Sequence, residues 1–428
     1  MLVVCIAFAV LLLAGMPVAF AVGISGVLFF VQHPELPTTI PVQLTVTETQ
    51  NFALLAVPLF ILAGNVMNHS GITEHLLKLA SVLTGRMRGG LAQVSIALST
   101  LMSGVTGSCV ADAAMNSRLL GHEMLRRGFS RGYAAGVISY GSLMAPIIPP
   151  GIGFILYGTV GQVSIGRLFA AGVIPGFMLW AAMAVAISVT ARRRGYAPER
   201  PQRPTVREFA VTARAAIWAI LFPVILLFGL RMGVFTPSEI GAFAVVYAVA
   251  VGLFAYRKLK AAGMREALEG SLVDVGAVMF LLALSAIFGY GIVFERIPEV
   301  VSGWILDFSR DPQLVLVLIL LFVLAAGTFM EGSVLIIMLT PIFLPLVTQL
   351  GVDPVHFGLV FIVAATIGNF TPPVGGAMFV VCQILRCPIG DYTRESMPFL
   401  LAVSAVTLLL VFVPAVVLLL PNALFGPP

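Results

Sequence analysis

Residues 104–108 read Gly-Val-Thr-Gly-Ser, and residues 145–151 read Ala-Pro-Ile-Ile-Pro-Pro-Gly. A similar pair of elements recurs 223 residues later, where 327–333 read Gly-Thr-Phe-Met-Glu-Gly-Ser and 368–376 read Gly-Asn-Phe-Thr-Pro-Pro-Val-Gly-Gly. Glycine and proline break helices, yet both copies lie in stretches that are apolar enough to cross a bilayer. Breaks at corresponding places of two halves are typical of transporters, where they mark the binding site.

The composition indicates a membrane protein. The chain has 428 residues, of which 59% are hydrophobic and 10% charged, and a soluble fold could not bury so much apolar surface. The apolar runs are about 20 residues long, which is the length that a helix needs to cross the hydrocarbon core. The sequence therefore predicts an all-α polytopic membrane protein with about ten transmembrane helices.

The basic residues divide unevenly between the loops. Of the 24 Lys and Arg residues, 20 fall in the segments 78–88, 118–131, 192–214, 257–265 and 386–394. The positive-inside rule predicts that these loops are cytoplasmic and that the C-terminus is periplasmic. Since the basic excess is explained by topology, the net charge of +5 does not indicate nucleic-acid binding.

This loop assignment predicts two re-entrant hairpins. The stretch 91–118 has basic loops on both sides, so it enters and leaves by the cytoplasmic face, and 312–348 enters and leaves by the opposite face. Each half then has five crossings and one hairpin, so the second half, 214–428, is inverted relative to the first, 1–190. The basic linker 191–213 joins the halves as a cytoplasmic connector, and a run of this kind can also bind anionic lipid headgroups.

A spanning segment with an interruption follows each hairpin, at 132–159 and at 356–384. Prolines in each interruption remove backbone donors and release the carbonyl oxygens that precede them. Carbonyl and hydroxyl oxygens together suit a hard cation such as Na⁺ better than a transition metal. The half-helix N-termini offer N–H groups to an anion. A proline kink explains any single break, but four breaks at matching places favour a binding site.

Two acidic residues, Asp112 and Glu331, cannot be assigned to a loop. Glu331 lies at the second hairpin tip and is expected either to balance the charge of a cation or to take part in proton coupling. Asp112 follows the first tip, where it is expected either to act directly or to cap a helix N-terminus. Asp274 and Glu295 lie near the ends of apolar segments and are predicted to be interfacial.

Several classes of protein are excluded. The sequence has no P-loop, nucleophile elbow or metal-binding histidine cluster, so neither an enzyme nor an ATPase is expected, and no organic cofactor. The four cysteines are expected to be small buried residues. No basic region precedes the first apolar run, so we expect no cleavable signal peptide. Residues 2–31 form one long helix or two crossings, and the pattern of the second half favours two. The segment 298–310 is expected to lie along the periplasmic interface.

Five stretches resemble the large membrane subunit of tripartite ATP-independent periplasmic (TRAP) transporters. They are 54–64 (Leu-Leu-Ala-Val-Pro-Leu-Phe-Ile-Leu-Ala-Gly), 104–114, 148–151 (Ile-Pro-Pro-Gly), 168–176 (Leu-Phe-Ala-Ala-Gly-Val-Ile-Pro-Gly) and 353–375. The resemblance implies a Na⁺-driven importer of small organic acids, such as dicarboxylates or sialic acid, in the inner membrane of a bacterium. It also implies two partners, a periplasmic substrate-binding protein and a small four-helix membrane subunit, which is expected to be a separate polypeptide. The family is similar to elevator-type transporters, in which a hairpin-bearing domain slides against a scaffold.

Carried onto this chain, the resemblance also implies individual site residues. A first Na⁺ site is implied near Ser103, Thr106, Ala145, Ile148 and Pro150. A second is implied near Gly327, Gly368, Thr371 and Val374, mostly through backbone carbonyl oxygens. The solute-binding residues that it implies are Thr106, Gly107, Ser108, Glu331, Gly332 and Ser333.

The chain departs from its relatives at two of these places. Gly151 stands where relatives often have serine, and Glu331-Gly332 stands where they often have Asp-Pro. At these positions the resemblance therefore implies side-chain roles less firmly than it implies cation coordination by backbone carbonyl oxygens. Two other functions fit the same sequence features. One is a carboxylate/cation symporter or exchanger that works without partners, and the other is a membrane scaffold subunit that transports nothing.

Overall fold

The computed structural model describes residues 2–200, 202, 204–372 and 374–426, and all the regular structure in this part of the chain is helical. Short 3₁₀ or π segments, at 52–55, 117–121, 142–144 and 251–255, connect or extend some of the helices. The α-helices are α1 (Leu2–Leu13), α2 (Val18–Gln32), α3 (Ile40–Thr49), α4 (Ala56–His69), α5 (Ile72–Thr84), α6 (Leu91–Thr106), α7 (Cys109–Asn116), α8 (His122–Arg126), α9 (Arg131–Gly141), α10 (Ile152–Val160), α11 (Ile165–Arg194), α12 (Val206–Ala215), α13 (Ile217–Arg231), α14 (Pro237–Ala250), α15 (Ala261–Phe294), α16 (Ile297–Phe308), α17 (Pro312–Gly327), α18 (Gly332–Gln349), α19 (Pro354–Asn369), α20 (Gly376–Leu385), α21 (Ile389–Phe412) and α22 (Pro414–Phe425).

The predicted all-α membrane fold is confirmed. Within the described residues, six helices are long and apolar enough to cross a membrane alone, and α12 with α13, bent by 60°, makes a seventh candidate. The other apolar helices have only 10–17 residues. Most of these shorter helices belong to hairpins or to interrupted spans. A count of unbroken helices therefore falls below the ten spans that the sequence predicts.

Both predicted hairpins are pairs of helices with a short tip. In the first, α6 ends at Thr106 and α7 begins at Cys109. In the second, α17 ends at Gly327 and α18 begins at Gly332. We refer to residues 107–108 as the first tip and to residues 328–331 as the second tip.

Both predicted interruptions are present as well. The first separates α9 from α10 and includes a 3₁₀ turn at 142–144, and the second separates α19 from α20. We refer to residues 145–151 as the first break and to residues 370–375 as the second break. Pro373, one of the prolines that the sequence analysis used, lies outside the described residues.

The N-terminal apolar stretch forms two helices rather than one long helix, and the two crossings that the sequence favoured stay a prediction. Gly15, with φ of 83°, lies in the turn between α1 and α2. At about 1.5 Å of rise per residue, the 12 residues of α1 extend only about 18 Å, which is less than the roughly 30 Å of the hydrocarbon core. On its own, α1 therefore reaches only part of the way across.

The helices pack in two groups. In one, α15 packs along α2, α3 and α4, and α4 also packs along α14. In the other, α9 packs along α21, α17 along α19, and α11 along α21 and α22. The hairpins and breaks belong to the second group. Across the boundary between the groups, α4 packs against α6 and α15 packs against α18, so these two helices of the first group lie beside the tips.

Hydrogen bonds and ion pairs join several of the predicted cytoplasmic loops at one end of the molecule. The guanidinium of Arg194 lies 2.6 Å from the carboxylate of Glu395. The backbone N–H of Glu199, in the linker, donates to the carbonyl oxygen of Gly85 over 2.8 Å. Three separate basic loops are therefore adjacent in the fold, as a common membrane face requires.

Two of the remaining arginines contact the C-terminal helix instead. Arg167 donates to the side chain of Asn422 over 2.8 Å, and Arg231 donates to the carbonyl oxygen of Leu424 over 2.9 Å. Both belong to the set that the loop assignment placed opposite the basic loops. The C-terminus therefore lies beside loops that contain few basic residues.

Candidate functional site

A cavity of about 520 Å³ lies between the two groups of helices. Its walls come from both tips, from both breaks or the helix ends beside them, and from α4 and α15. A cavity of this size matches the usual volume of small-molecule sites. The two copies of the element that opened the sequence analysis therefore contribute to a single site.

All six residues implied to bind the solute line this cavity. Thr106, Gly107 and Ser108 reach it from the end of α6 and the first tip, and the other three, Glu331 to Ser333, reach it from the second tip and the start of α18. The structure thus brings together two groups that lie more than 200 residues apart in the chain. Their role in binding a solute stays a prediction.

The first tip is held against the first break. Gly107 has φ of 58°, and a Cβ atom at this position would lie 2.6 Å from the carbonyl oxygen of Pro150. Glycine is therefore required here both for the backbone conformation and for the close approach. The N–H of Ile152, at the start of α10, points at the carbonyl oxygen of Gly107 from 3.5 Å.

The second tip carries a charged cap. Glu331 is the N-cap of α18, and its carboxylate accepts from the backbone N–H and the hydroxyl of Ser333, each over 3.1 Å. Ser108 takes the same position at the start of α7, but its side chain is neutral and accepts from the N–H of Ala111 only over 3.5 Å. The caps of the two half-helices at the cavity therefore differ: α7 has a hydroxyl and α18 has a carboxylate.

The first break offers carbonyl oxygens without donors. Residues 145–151 are all buried, and no donor among the described residues reaches the carbonyl oxygen of Ala145, Ile148 or Pro150. Unpaired buried carbonyl groups are costly unless another ligand satisfies them. These three residues belong to the first implied Na⁺ site, and their oxygens fit a hard cation.

The side chains implied for that site are less available. The hydroxyl of Ser103 is buried and donates to the carbonyl oxygen of Ser99 over 2.7 Å. The hydroxyl of Thr106 points at the carbonyl oxygen of Met102 from 3.4 Å. Each hydroxyl oxygen keeps its lone pairs, so both can still act as acceptors for a cation.

The second break lies where two helices approach closely. A Cβ atom at Gly368 would lie 2.7 Å from the Cα atom of Gly327, so α17 and α19 touch through glycine backbone. The hydroxyl of Thr371 donates to the carbonyl oxygen of Ile367 over 2.7 Å. Within the described residues, no donor reaches the carbonyl oxygens of Gly327, Thr371 and Val374, which fits the second implied Na⁺ site, whereas the carbonyl oxygen of Gly368 accepts from the N–H of Thr371 over 2.9 Å.

Asn369 connects the two copies across the site. Its amide oxygen accepts from the N–H of Ala377 over 3.2 Å, which caps α20. Its amide nitrogen lies 3.9 Å from the sulfur of Cys109, the first residue of α7. The carbonyl oxygen of Phe370 in turn accepts from the hydroxyl of Tyr140, on α9, over 3.3 Å. The second break is therefore fixed to elements of the first half.

Asp112 lies behind the cavity wall. It is fully buried, and its Oδ2 atom accepts from the hydroxyl of Ser99 over 2.6 Å and from the side chain of Asn116 over 3.2 Å. The N-cap of α7 is Ser108, so the capping role considered for Asp112 belongs to that residue. Asp112 instead ties α7 to α6 within the first hairpin.

The wall opposite the tips was not identified from the sequence. Asn65 and Asn68 on α4 line the cavity, as does Asp274 on α15. The amide of Asn65 donates to the hydroxyl of Ser271 over 3.0 Å and points at the carboxylate of Asp274 from 3.4 Å. The sequence analysis expected Asp274 to be interfacial and gave it no place in the site, whereas contacts between α4 and α15 bring it into the cavity wall. Two asparagines in an otherwise apolar span were the available signal.

An all-helical membrane protein with two hairpins and two interrupted helices around one cavity has the architecture of secondary transporters with internal repeats. The sequence assigns the chain to one family within this class of transporters. It matches the family described as tripartite ATP-independent periplasmic transporter, DctM component, over residues 5–416, and the chain belongs to that family.

Relatives match along almost their whole length. The chain is 33% identical over 403 residues to the C4-dicarboxylate TRAP transporter large permease protein DctM of Pseudomonas aeruginosa, covering 94% of each chain. It is 34% identical over 416 residues to the sialic acid TRAP transporter large permease protein SiaM of Vibrio cholerae, covering 97% of each. The predicted family resemblance is confirmed.

A solved structure supports the fold. The YdaH transporter of Alcanivorax borkumensis superposes with a TM-score of 0.65, covering 88% of this chain and 87% of that chain. Sequence identity in this comparison is 17%. The likeness therefore concerns the arrangement of helices only.

Proposed function

We propose that the chain is the large permease subunit of a Na⁺-coupled importer of small organic acids that a periplasmic binding protein delivers. The observation that carries the proposal is the single cavity to which both tips contribute. Membership of a transporter family leads us to expect a solute site in general terms. The support for this particular cavity must come from the chemistry of its own residues.

The coupling ion is proposed from the carbonyl oxygens of the two breaks. Ala145, Ile148 and Pro150 would hold one Na⁺, with Ser103 and Thr106 beside them. A bound Na⁺ would supply positive charge close to the tips, where the carboxylate of a solute would lie. The residues proposed for the second Na⁺ are Gly327, Gly368, Thr371 and Val374.

The class of solute is proposed from the first tip and from the relatives. The N-terminus of α7 opens on the cavity at Cys109 and Val110, and helix N-termini favour anions. Two relatives are named for C4-dicarboxylates and for sialic acid, both of which are organic acids. A solute carboxylate bound at the N-terminus of α7 agrees both with the helix N-terminus at the cavity and with the solutes for which the relatives are named.

An elevator-like movement is proposed from the two groups of helices. The cavity lies between them, so that a displacement of one group along the other would carry the tips and breaks together. On α4, Gly64 approaches the end of α6, beside the first tip, so closely that a Cβ atom would lie 2.6 Å from the carbonyl oxygen of Val105. Small residues at such a contact let the backbones of two helices approach closely, so the two groups meet here without interlocking side chains.

Partners and location are proposed from the family. Its description names a tripartite periplasmic transporter, and its relatives are named large permease proteins. We infer a small four-helix membrane subunit and a periplasmic binding protein as the other two parts. The proposed location is the bacterial inner membrane, with the basic loops in the cytoplasm, the C-terminus in the periplasm and lipid around the helices.

Uptake by proteoliposomes tests the function. The vesicles contain this chain and a small membrane subunit, and the binding protein is added outside with its radiolabelled solute. Uptake is expected only with an inward Na⁺ gradient and with all three proteins. Uptake driven equally well by a K⁺ gradient would contradict Na⁺ coupling. Uptake by this chain alone would indicate a symporter without partners, and no uptake under any condition would indicate a scaffold.

A further inference from the structure

The cavity carries two carboxylates on opposite walls. Glu331 reaches it from the second tip, and Asp274 reaches it from α15. Among the described residues that line the cavity, none is lysine, arginine or histidine. Two carboxyl groups in a site whose lining holds no basic side chain favour a ligand that brings positive charge with it.

The second tip is poorly suited to an anion. The carboxylate of Glu331 already occupies the N-terminus of α18, where it accepts from the N–H of Ser333. A solute carboxylate at that position would meet a like charge and would lose the benefit of the helix dipole. Glu331 therefore makes this side of the cavity attractive to a cation.

The first tip is suited to an anion. No oxygen atom among the described residues accepts from the backbone N–H of Cys109 or of Val110, and both residues line the cavity. The cap of this helix, Ser108, is neutral, and the acid in its first turn, Asp112, has its carboxylate bonded to Ser99 and Asn116 rather than to these N–H groups. A carboxylate placed here would gain hydrogen bonds from both N–H groups.

We propose that the transported organic acid also bears an ammonium group, so that it is a zwitterion. Its carboxylate would bind at the N–H groups of Cys109 and Val110, and its ammonium group would lie between Asp274 and Glu331. This inference rests on the proposed function, because it names the charge type of the solute carried by the same site. It assigns Asp274, on the wall opposite the tips, a direct role in selecting that solute.

Two matched pairs of probes test the charge type. Butanoate and 4-aminobutanoate differ only by an ammonium group, as do succinate and L-aspartate. The readout is the unfolding temperature of the purified chain in Na⁺, titrated with each probe, since ligands that bind the native state raise it. In at least one pair, the ammonium-bearing probe is expected to bind more tightly than its partner. If neither pair shows this difference, the proposal is wrong.

A variant locates the ammonium group. Asp274→Asn is expected to weaken binding of the ammonium-bearing probe about tenfold, which corresponds to about 1.4 kcal/mol, and to leave its partner unchanged or bound more tightly. Asp307→Asn is the control, since Asp307 is an exposed acid on α16 outside the cavity lining. Equal effects of Asp274→Asn on both members of a pair would overturn the assignment. Na⁺ and binding-protein dependence of uptake is measured separately, so failure here leaves the importer assignment standing.

Discussion

The backbone N–H of Gly375 donates a hydrogen bond of 2.7 Å to the carbonyl oxygen of Thr328, which fixes the second tip to the second break. The equivalent position 223 residues earlier is Ile152, whose N–H points at the carbonyl oxygen of Gly107 over 3.5 Å. Each tip is therefore held by the first N–H groups of the half-helix that follows its break. This shared contact makes each hairpin and its broken helix one structural unit.

The contact between α17 and α19 should not tolerate a methyl group. In Gly368→Ala the added Cβ would lie 2.6 Å from the carbonyl oxygen of Leu324, so the helices must separate, at a cost of about 1–3 kcal/mol. The unfolding temperature in detergent is expected to fall. Gly289→Ala, on α15, has no atom within 4 Å of the new Cβ and is expected to be neutral or stabilising. Equal effects of the two changes would show that the close approach is unimportant.

Gly64 provides a test of movement between the two groups of helices. Gly64→Ala would place a Cβ 2.6 Å from the carbonyl oxygen of Val105 and would disfavour the arrangement in which α4 touches the first tip. We expect Na⁺-driven uptake to slow by about tenfold, which corresponds to about 1.4 kcal/mol. The matched control is Gly276→Ala, also on a helix facing the cavity, where nothing lies within 4 Å. Unchanged uptake by Gly64→Ala would contradict sliding at this contact.

The buried carboxylate of Asp112 should contribute to the stability of the first hairpin. Asp112→Ala leaves a cavity and removes the acceptor for Ser99 and Asn116, so unfolding should become easier by about 2–4 kcal/mol. Asp112→Asn keeps the shape and one acceptor oxygen and should cost less. Thermal unfolding of the two variants distinguishes them. Equal losses for Asn and Ala would indicate that the charge itself is required.

Two substitutions of Glu331 separate the effect of its carboxylate on the helix from the effect of its side-chain length. Glu331→Ala removes the N-cap of α18 and should destabilise the hairpin by about 1 kcal/mol, whereas Glu331→Asp keeps a good capping residue. Hydrogen exchange of the first turn of α18 is the direct measurement. Faster exchange is expected for Ala only. Similar exchange in wild type and Glu331→Ala would mean that the carboxylate does not cap the helix.

The tips and breaks could be predicted because their signals are local. Gly107 and Pro150 change the backbone wherever they occur, and an apolar context makes that change conspicuous. The wall formed by Asn65 and Asp274 was missed, because the asparagines of α4 are a signal only for that helix and their meeting with Asp274 depends on how α4 packs against α15. The interruption between α21 and α22, at Val413, was also missed, since the apolar character of the segment continues through it.

The most direct test of the two-walled site is the Na⁺ dependence of uptake after one methyl group is added to either tip contact. Gly107→Ala would place a Cβ 2.6 Å from the carbonyl oxygen of Pro150, and Gly375→Ala would place one 3.0 Å from that of Thr371. The control is Gly128→Ala, which has the same unfavourable positive φ, 86°, but nothing within 4 Å. We predict that both tip variants lose most Na⁺-stimulated uptake while Gly128→Ala keeps it. Wild-type Na⁺ dependence in either tip variant would contradict a site built jointly by the two halves.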